Sequence, residues 1–253
     1  MRVQVNARNR GYQFDALPGE KLLYAGLRSG IDLPFECATG TCGTCKARAV
    51  AGRFHDGWPD APGKKFVKPE RSELLMCQCV AEDDLTLEVS QFVYAADAGA
   101  CAPAACSGVL RDANLLTRDV MEFAIELEQP RDFDAGQFIA VAAPGVRGFR
   151  AYSMVNFERG ARRLAFVAKR KPGGGFSEWL FGAGPDGARL ALFGPLGKST
   201  FYPGIDRDIL CIAGGSGIAG MMSILQRAAQ QRHFERYRGW LFLRAHARRR
   251  VLP

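Results

Sequence analysis

The sequence lacks any segment suited to crossing a membrane or to directing secretion. No run reaches the roughly 18 apolar residues that a membrane-spanning helix needs, and the N-terminus MRVQVNARNRGYQF carries no apolar core of a signal peptide. Eight cysteines in a chain without such a signal indicate reduced thiols. The sequence therefore predicts a cytoplasmic protein without a membrane partner.

Histidine is scarce, and acidic residues are almost missing from the C-terminal end. With only three histidines, the chain shows no recognisable catalytic histidine or nucleophile motif. The net charge is +8, but residues 226–253 alone contain eight arginines against a single acid, Glu235. The rest of the chain is nearly neutral, so we expect no nucleic-acid partner.

Four cysteines have the spacing of metal-cluster ligands. Cys37, Cys42 and Cys45 form a C-x4-C-x2-C run, and Cys77 follows in the sequence LLMCQC. This is the spacing of a plant-type [2Fe-2S] cluster, whose thiolates hold two irons. Small residues between the cysteines, among them Gly40 and Gly43, favour a tight loop that directs backbone N–H groups at sulfur.

Other uses of these cysteines are possible alternatives. Two disulfides or a zinc site would also consume four cysteines. Zinc would call for a second C-x2-C pair or a pair of histidines, and the sequence has neither. Cys79 competes with Cys77 as fourth ligand, and we favour Cys77 because it directly follows the apolar run Leu74-Leu75-Met76.

The order of local patterns divides the chain into segments. Residues 1–94 contain an alternating hairpin, a helix ending near Gly30, the cysteine loop and a last strand, and this order resembles the β-grasp of plant-type ferredoxins. Residues 95–106 are rich in Ala, Gly and Pro and predict a linker. Short strands then predict an antiparallel barrel over residues 107–205. Residues 206–253 contain a strand, a glycine turn and a helix, which is part of an α/β unit.

Three motifs in the second half make the resemblance specific. Residues 150–153 read R-A-Y-S, residues 171–180 read KPGGGFSEWL with a helix predicted to begin at Ser177, and residues 214–219 read GGSGIA. In this order they resemble the ferredoxin-NADP reductase superfamily, in which the Tyr stacks on the flavin, the Ser faces flavin N5 and the Arg neutralises the pyrophosphate. Gly220 stands where the family usually has Pro. The resemblance implies catalytic roles for Tyr152 and Ser153, and cofactor contacts at Arg150, Tyr152, Ser153, Gly174, Gly175, Phe176, Ser177, Gly214, Gly215, Ser216 and Gly217.

Taken whole, the chain resembles the reductase component of bacterial multicomponent oxygenases. The implied fold class is α+β multidomain, with a β-grasp ferredoxin domain, an antiparallel β-barrel flavin domain and a truncated α/β nicotinamide domain. The implied function is electron transfer from NAD(P)H through FAD and a [2Fe-2S] cluster to a terminal oxygenase or an intermediate ferredoxin, by a monomeric enzyme. NADH and NADPH are not distinguished. The alternative is a flavin and iron–sulfur relay, or a fragment, that lacks nicotinamide binding.

The C-terminal end departs from this resemblance. One strand at residues 209–213, one helix and a second strand at residues 239–243 cannot cover a sheet on both faces, so we expect a truncated third domain. The last ten or so residues, which are rich in arginine, suggest a shifted reading frame or an assembly break. A native basic tail that binds an acidic oxygenase partner is the alternative.

Overall fold

The computed structural model describes residues 1–182, 185–202 and 204–244. It divides the chain into two compact units, Met1–Ala104 and Ala105–Pro253. The arginine-rich residues 245–253, on which the reading-frame hypothesis depends, lie outside the described residues. Among the described residues, no helix is both long and apolar enough to cross a lipid bilayer.

The first unit is a five-stranded sheet crossed by one helix. The strand order is β2-β1-β8-β4-β6, with β1 parallel to β8 and antiparallel to β2. Alternation of apolar and polar residues places Val3 and Val5 in the core, where neither is exposed. The elements are β1 (Arg2–Ala7), β2 (Gly11–Asp15), α1 (Leu22–Arg28), β3 (Ile31–Asp32), β4 (Lys46–Ala51), β5 (Phe54–Asp56), β6 (Glu73–Leu75), β7 (Cys79–Ala81), β8 (Leu85–Val89) and β9 (Tyr94–Ala95), with 3-10 helices at Pro62–Phe66 and Pro69–Arg71.

The second unit contains a six-stranded barrel and a smaller α/β part. The barrel order is β13-β12-β15-β10-β11-β14. The backbone N–H of Val155, just after β13, donates to Ala165 O in β14 at 2.8 Å and joins the two ends of the sheet. The barrel elements are β10 (Ala104–Thr117), β11 (Val120–Arg131), β12 (Phe138–Ala142), β13 (Arg150–Ser153), β14 (Ala161–Lys169), α2 (Gly175–Leu180) and β15 (Arg189–Leu196).

The α/β part consists of two parallel strands and a helix. β16 (Ile209–Gly214) pairs in parallel with β17 (Gly239–Arg244), and α3 (Ala219–Gln230) lies between them in the chain, after a 3-10 turn at Gly215–Ile218. Much of the sheet is exposed, including Ile212 at 66% and Phe242 at 58%. Apolar side chains of a parallel strand are normally covered on both faces. The described part of this region therefore leaves a sheet face uncovered.

Helix α3 is attached to the barrel through polar side chains that bind main-chain atoms. Ser223 is fully buried, and its Oγ accepts from the Gly136 N–H at 2.9 Å. Gln226 Oε1 accepts from the Phe157 N–H at 2.9 Å, and Gln230 Nε2 donates to Phe157 O at 3.4 Å. The helix is thus held at a defined position on the barrel.

Candidate functional site

The cysteine loop directs its backbone amides at sulfur. The N–H groups of Thr39, Thr41 and Cys42 lie 3.4, 3.3 and 3.4 Å from Cys37 Sγ. The N–H of Thr44 lies 3.5 Å from Cys42 Sγ. Such N–H donors stabilise negative charge on thiolate sulfur. The loop is therefore built to hold charged sulfur.

Cys45 and Cys77 come together from distant parts of the chain. Their sulfurs are 3.2 Å apart and both residues are buried. The hydrogen bond from the Cys45 thiol lowers the pKa of Cys77 to about 7, and the same bond raises the pKa of Cys45. The segment is fixed on both sides, because the Met76 N–H donates to Cys45 O and the Leu23 N–H of α1 donates to Met76 O, each at 3.0 Å.

The backbone of the loop requires glycine at two positions. Gly40 and Gly43 have φ angles of 84° and 81°, which side chains disfavour. A Cβ on Gly43 would lie 2.5 Å from Phe66 Cδ2. Within the described residues no group of three or more His, Cys, Asp or Glu side chains converges on one point. Four thiolates divided over two irons need no such convergence, so the residues present fit a two-iron cluster.

The R-A-Y-S strand presents its side chains from the barrel wall. The Tyr152 ring meets Phe123 edge-on at 5.7 Å and Phe176 at 5.1 Å, and burial raises the pKa of Tyr152 to about 12. Arg150 is half-buried, and its Nη1 donates to Phe149 O at 2.9 Å. The neutral phenol and the guanidinium are thus held by the barrel itself.

The glycine-rich segment before α2 differs from its prediction in one respect. The helix begins at Gly175 and not at Ser177, because Gly174 has the extended conformation of an N-cap and the chain turns there. Ser177 Oγ accepts from the Lys171 N–H at 3.0 Å and ties the loop to the helix. Phe176 is only 1% exposed and packs in the barrel core against Tyr152. Any cofactor contact of Phe176 would have to come from its backbone.

The glycine loop after β16 lies next to the R-A-Y-S strand. A Cβ on Gly214 or Gly217 would meet no atom within 4 Å, so packing does not require glycine there. Bare backbone at such a position allows close approach of a ligand. A Cβ on Gly220, at the start of α3, would lie 3.5 Å from Ser153 Cβ. The R-A-Y-S motif and the glycine loop, the first and third motifs of the sequence, are thereby brought to the same place.

Comparison with known proteins gives these sites a family. A profile for the 2Fe-2S iron-sulfur cluster binding domain matches residues 5–82, and one for the oxidoreductase FAD-binding domain matches residues 107–201. The aromatic O-demethylase reductase subunit of Amycolatopsis sp. is 34% identical over 234 residues, covering 88% of this chain and 67% of that protein. The chain belongs to the ferredoxin reductase family.

Two further members of this family extend the comparison. The ferredoxin–NAD(P)(+) reductase CarAd of Metapseudomonas resinovorans is 37% identical over 215 residues, covering 84% of this chain and 65% of CarAd. A solved structure of the ferredoxin reductase in carbazole 1,9a-dioxygenase superposes with a TM-score of 0.79 at 33% identity, covering 96% of this chain and 72% of that one. These likenesses confirm the predicted fold class. The chain spans about two thirds of the length of its curated relatives.

The environments of Cys77 and its competitor Cys79 differ. Cys79 is fully buried in β7, and burial raises the pKa of its thiol to about 12. A thiol must lose its proton to bind iron. The environment therefore favours Cys77, 3.2 Å from Cys45, as the ligand.

Three residues that the sequence analysis did not select also surround the cysteines. Gln78 Nε2 lies 3.2 Å from Cys77 Sγ, and Gln78 Oε1 lies 3.3 Å from Lys21 Nζ. Tyr24 donates its phenolic proton to Ala38 O at 3.1 Å, and burial together with the nearby cysteines raises its pKa well above the ordinary value. The one available signal was a polar glutamine between two buried cysteines.

Proposed function

We propose that this chain carries electrons from NAD(P)H, through FAD and a [2Fe-2S] cluster, to a protein that consumes them singly. Family membership supports both cofactors. The observation that carries the nicotinamide step is the approach of Gly220 to Ser153, since it brings the glycine loop beside the strand predicted to face the flavin. The cluster ligands are Cys37, Cys42, Cys45 and Cys77, and the flavin and nicotinamide contacts are those predicted from the motifs.

Each group of residues has a physical task in this proposal. A bound flavin supplies the conversion between two-electron and one-electron transfer. Tyr152, supported by Phe123 and Phe176, orients a ring laid against it. Arg150 supplies positive charge for a pyrophosphate. The amides around Cys37 stabilise negative charge on the sulfur.

Anaerobic mixing of the purified protein with NADH and, separately, with NADPH tests the proposal. We expect the visible absorption of flavin and cluster to bleach with at least one of them. The variant Gly217→Val should fold, since a Cβ there meets no atom within 4 Å, yet its side chain would cover the exposed backbone. It should bleach with dithionite but poorly with the nucleotide. Gly11→Val is the matched control, because a Cβ there meets nothing closer than 3.8 Å.

A relay without nicotinamide turnover is the second candidate. The exposed side chains of β16 and β17 favour it, because Leu210 is 62% and Trp240 is 48% exposed in the described part of the α/β region. A nucleotide site on an incompletely covered sheet would bind weakly. Bleaching with dithionite alone, in the parent protein as well as in Gly217→Val, would favour the relay and reject nicotinamide oxidation.

The partner and the domain limits are part of the same proposal. CarAd is a ferredoxin–NAD(P)(+) reductase, and the xylene/toluene monooxygenase electron transfer component XylA of Pseudomonas putida is 30% identical to this chain over 226 residues. We extend this to a terminal oxygenase or an intermediate ferredoxin as acceptor of a monomeric, cytoplasmic chain. The proposed domains are residues 1–94, 107–205 and 206–253. Strands extend into both ends of the proposed linker, residues 95–106, because Ala95 of β9 pairs with Ile31 and β10 begins at Ala104.

A further inference from the structure

Gln78 bridges a lysine and a cysteine inside the first unit. Its side chain is only 2% exposed. Nε2 lies 3.2 Å from Cys77 Sγ, and Oε1 lies 3.3 Å from Lys21 Nζ. Packing alone would be served by an apolar residue, whereas a buried amide costs free energy unless it is hydrogen-bonded. A polar residue at this position therefore calls for a reason beyond packing.

The lysine fixes which end of the amide faces sulfur. An ammonium group only donates hydrogen bonds, so the atom facing Lys21 must be the amide oxygen. The NH2 group of Gln78 is then left to face Cys77 Sγ. A glutamine without this neighbour could turn its oxygen toward the sulfur and repel the negative charge there. Lys21 also polarises the amide, which strengthens the N–H donor at the other end.

The surrounding backbone is shaped for this bridge. The Gln78 N–H donates to Leu75 O at 2.8 Å, and Gln78 O accepts from the Gly57 N–H at 3.1 Å. Gly40 leaves room for the side chain, since a Cβ there would lie 2.8 Å from Gln78 Nε2. Lys21 is itself held beside the Tyr24 ring, with Nζ 5.7 Å from the ring centroid. Lys21, Gln78 and Cys77 are thus held next to one another by the surrounding backbone and side chains.

We propose that Lys21 and Gln78 are positioning residues that raise the reduction potential of the cluster through an N–H···S hydrogen bond to Cys77. The inference rests on the proposed role of Cys77 as a ligand. Reduction adds one electron and therefore one negative charge to the sulfur-ligated irons. Hydrogen bonds to the ligand sulfurs stabilise that charge and are a known determinant of cluster potential. The electron comes from the flavin in the proposed function and from dithionite in the test.

A redox titration of the full-length holoprotein, followed by absorption and by the EPR signal of the reduced cluster, tests this. Gln78→Leu removes the donor and should lower the midpoint potential by about 59 mV, which corresponds to a tenfold change in the equilibrium constant of one-electron reduction. Lys21→Met should lower it in the same direction by a smaller amount, because the amide is retained but loses its orienting partner. Lys21→Arg keeps a donor and should remain close to the parent protein.

A double variant that combines Lys21→Met with Gln78→Leu distinguishes an effect of Lys21 through the Gln78 amide from a direct effect of its charge on the cluster. If Lys21 acts through the amide, Lys21→Met should shift the potential much less in the Gln78→Leu background than in the parent. Equal shifts of the midpoint potential in both backgrounds would overturn the inference that Lys21 acts through the Gln78 amide. Gln13→Leu and Lys68→Met are the matched controls. Both residues are exposed in the same unit, and the substitutions remove one amide and one positive charge, respectively. Neither control should move the potential appreciably.

Failure of the inference is distinguishable from failure of the ligand assignment. Cys77→Ala should abolish the cluster if Cys77 is a ligand. If Cys77→Ala abolishes the cluster, and both Lys21→Met and Gln78→Leu keep the parent potential and EPR signal, the role proposed for Lys21 and Gln78 is wrong while the ligand assignment stands. If Cys77→Ala retains the cluster, the ligand assignment fails and the inference with it. If Gln78→Leu assembles no cluster, an unchanged midpoint potential in Lys21→Met would by itself refute the role proposed for Lys21 and Gln78.

Discussion

Gly43 offers a demanding test of the geometry of the cysteine loop. Its φ angle is 81°, and a Cβ there would lie 2.5 Å from Phe66 Cδ2 and 2.9 Å from Phe66 Cβ. Gly30, at the end of α1, has nearly the same φ of 73°, yet a Cβ on it would meet nothing within 4 Å. The two positions therefore share the conformational cost of alanine but differ in the space around it.

The expected magnitudes follow from this difference. Alanine in the left-handed region costs roughly 1–2 kcal/mol at either position, and the loss of unfolded-chain entropy is the same for both. Gly43→Ala should cost a further 1–3 kcal/mol, roughly, because the 3-10 helix at Pro62–Phe66 must move away. Each kcal/mol shifts the midpoint by about 4–8 °C in a domain of this size. Gly43→Ala should therefore melt at least ~4 °C below Gly30→Ala.

The assay is the thermal loss of visible cluster absorption in the full chain, at one fixed heating rate. Both variants are prepared and loaded with iron and sulfide side by side. A Gly43→Ala protein that assembles no cluster, under conditions in which Gly30→Ala does, is the extreme form of the expected result. Equal midpoints for the two variants would refute the reasoning, because only the shared backbone cost would then remain.

Three further substitutions test other parts of the molecule. Cys79→Ala should keep the visible spectrum of the cluster, because burial raises the pKa of this thiol to about 12; a colourless protein would instead make Cys79 a ligand. Ser223→Ala should lower the urea unfolding free energy of the barrel unit by about 1–3 kcal/mol, because the Gly136 N–H loses its acceptor, and an unchanged value would contradict this. Phe123→Leu removes the edge contact to Tyr152 and should weaken FAD binding by about 1 kcal/mol, roughly fivefold in a fluorescence titration; unaltered affinity would argue against support of the flavin by that contact.

The strands with a clear alternating pattern were predictable from the sequence. The alternating hairpin expected within residues 1–94 corresponds to β1 and β2, and buried and exposed residues alternate along β1, Arg2–Ala7. Period-two alternation is a local property that burial of one face preserves. The two strands expected around the glycine loop likewise correspond to β16 and β17.

Other strands owe their existence to partners distant in the chain. β5, Phe54–Asp56, lies in a stretch rich in Gly and Pro and forms by pairing with β7. β10 begins at Ala104, within the predicted linker, because it lies between β15 and β11 in the barrel. The local composition there is a poor indicator of strand, and tertiary pairing overrides it.

The site was predictable in its chemistry and not in its surroundings. Cysteine spacing indicated the four ligands, and the motif order indicated the flavin strand and the glycine loop; the role of each residue stays a prediction. The bridge through Gln78 was not predictable, because Lys21 is 57 residues away in sequence. Side-chain orientation of this kind depends on the three-dimensional arrangement.

The attachment of α3 bears on how the coenzyme-binding region of such proteins could be exchanged for another. Ser223, Gln226 and Gln230 grip carbonyl and amide groups of the barrel and not particular side chains. Substitution of barrel side chains at these contacts would keep the three hydrogen bonds as long as the backbone path persists, whereas Ile224 and Ala228 of the same helix pack against the apolar core of the barrel. An engineer who grafts a foreign coenzyme module onto this barrel should therefore transplant Ser223, Gln226 and Gln230 together with the two apolar positions.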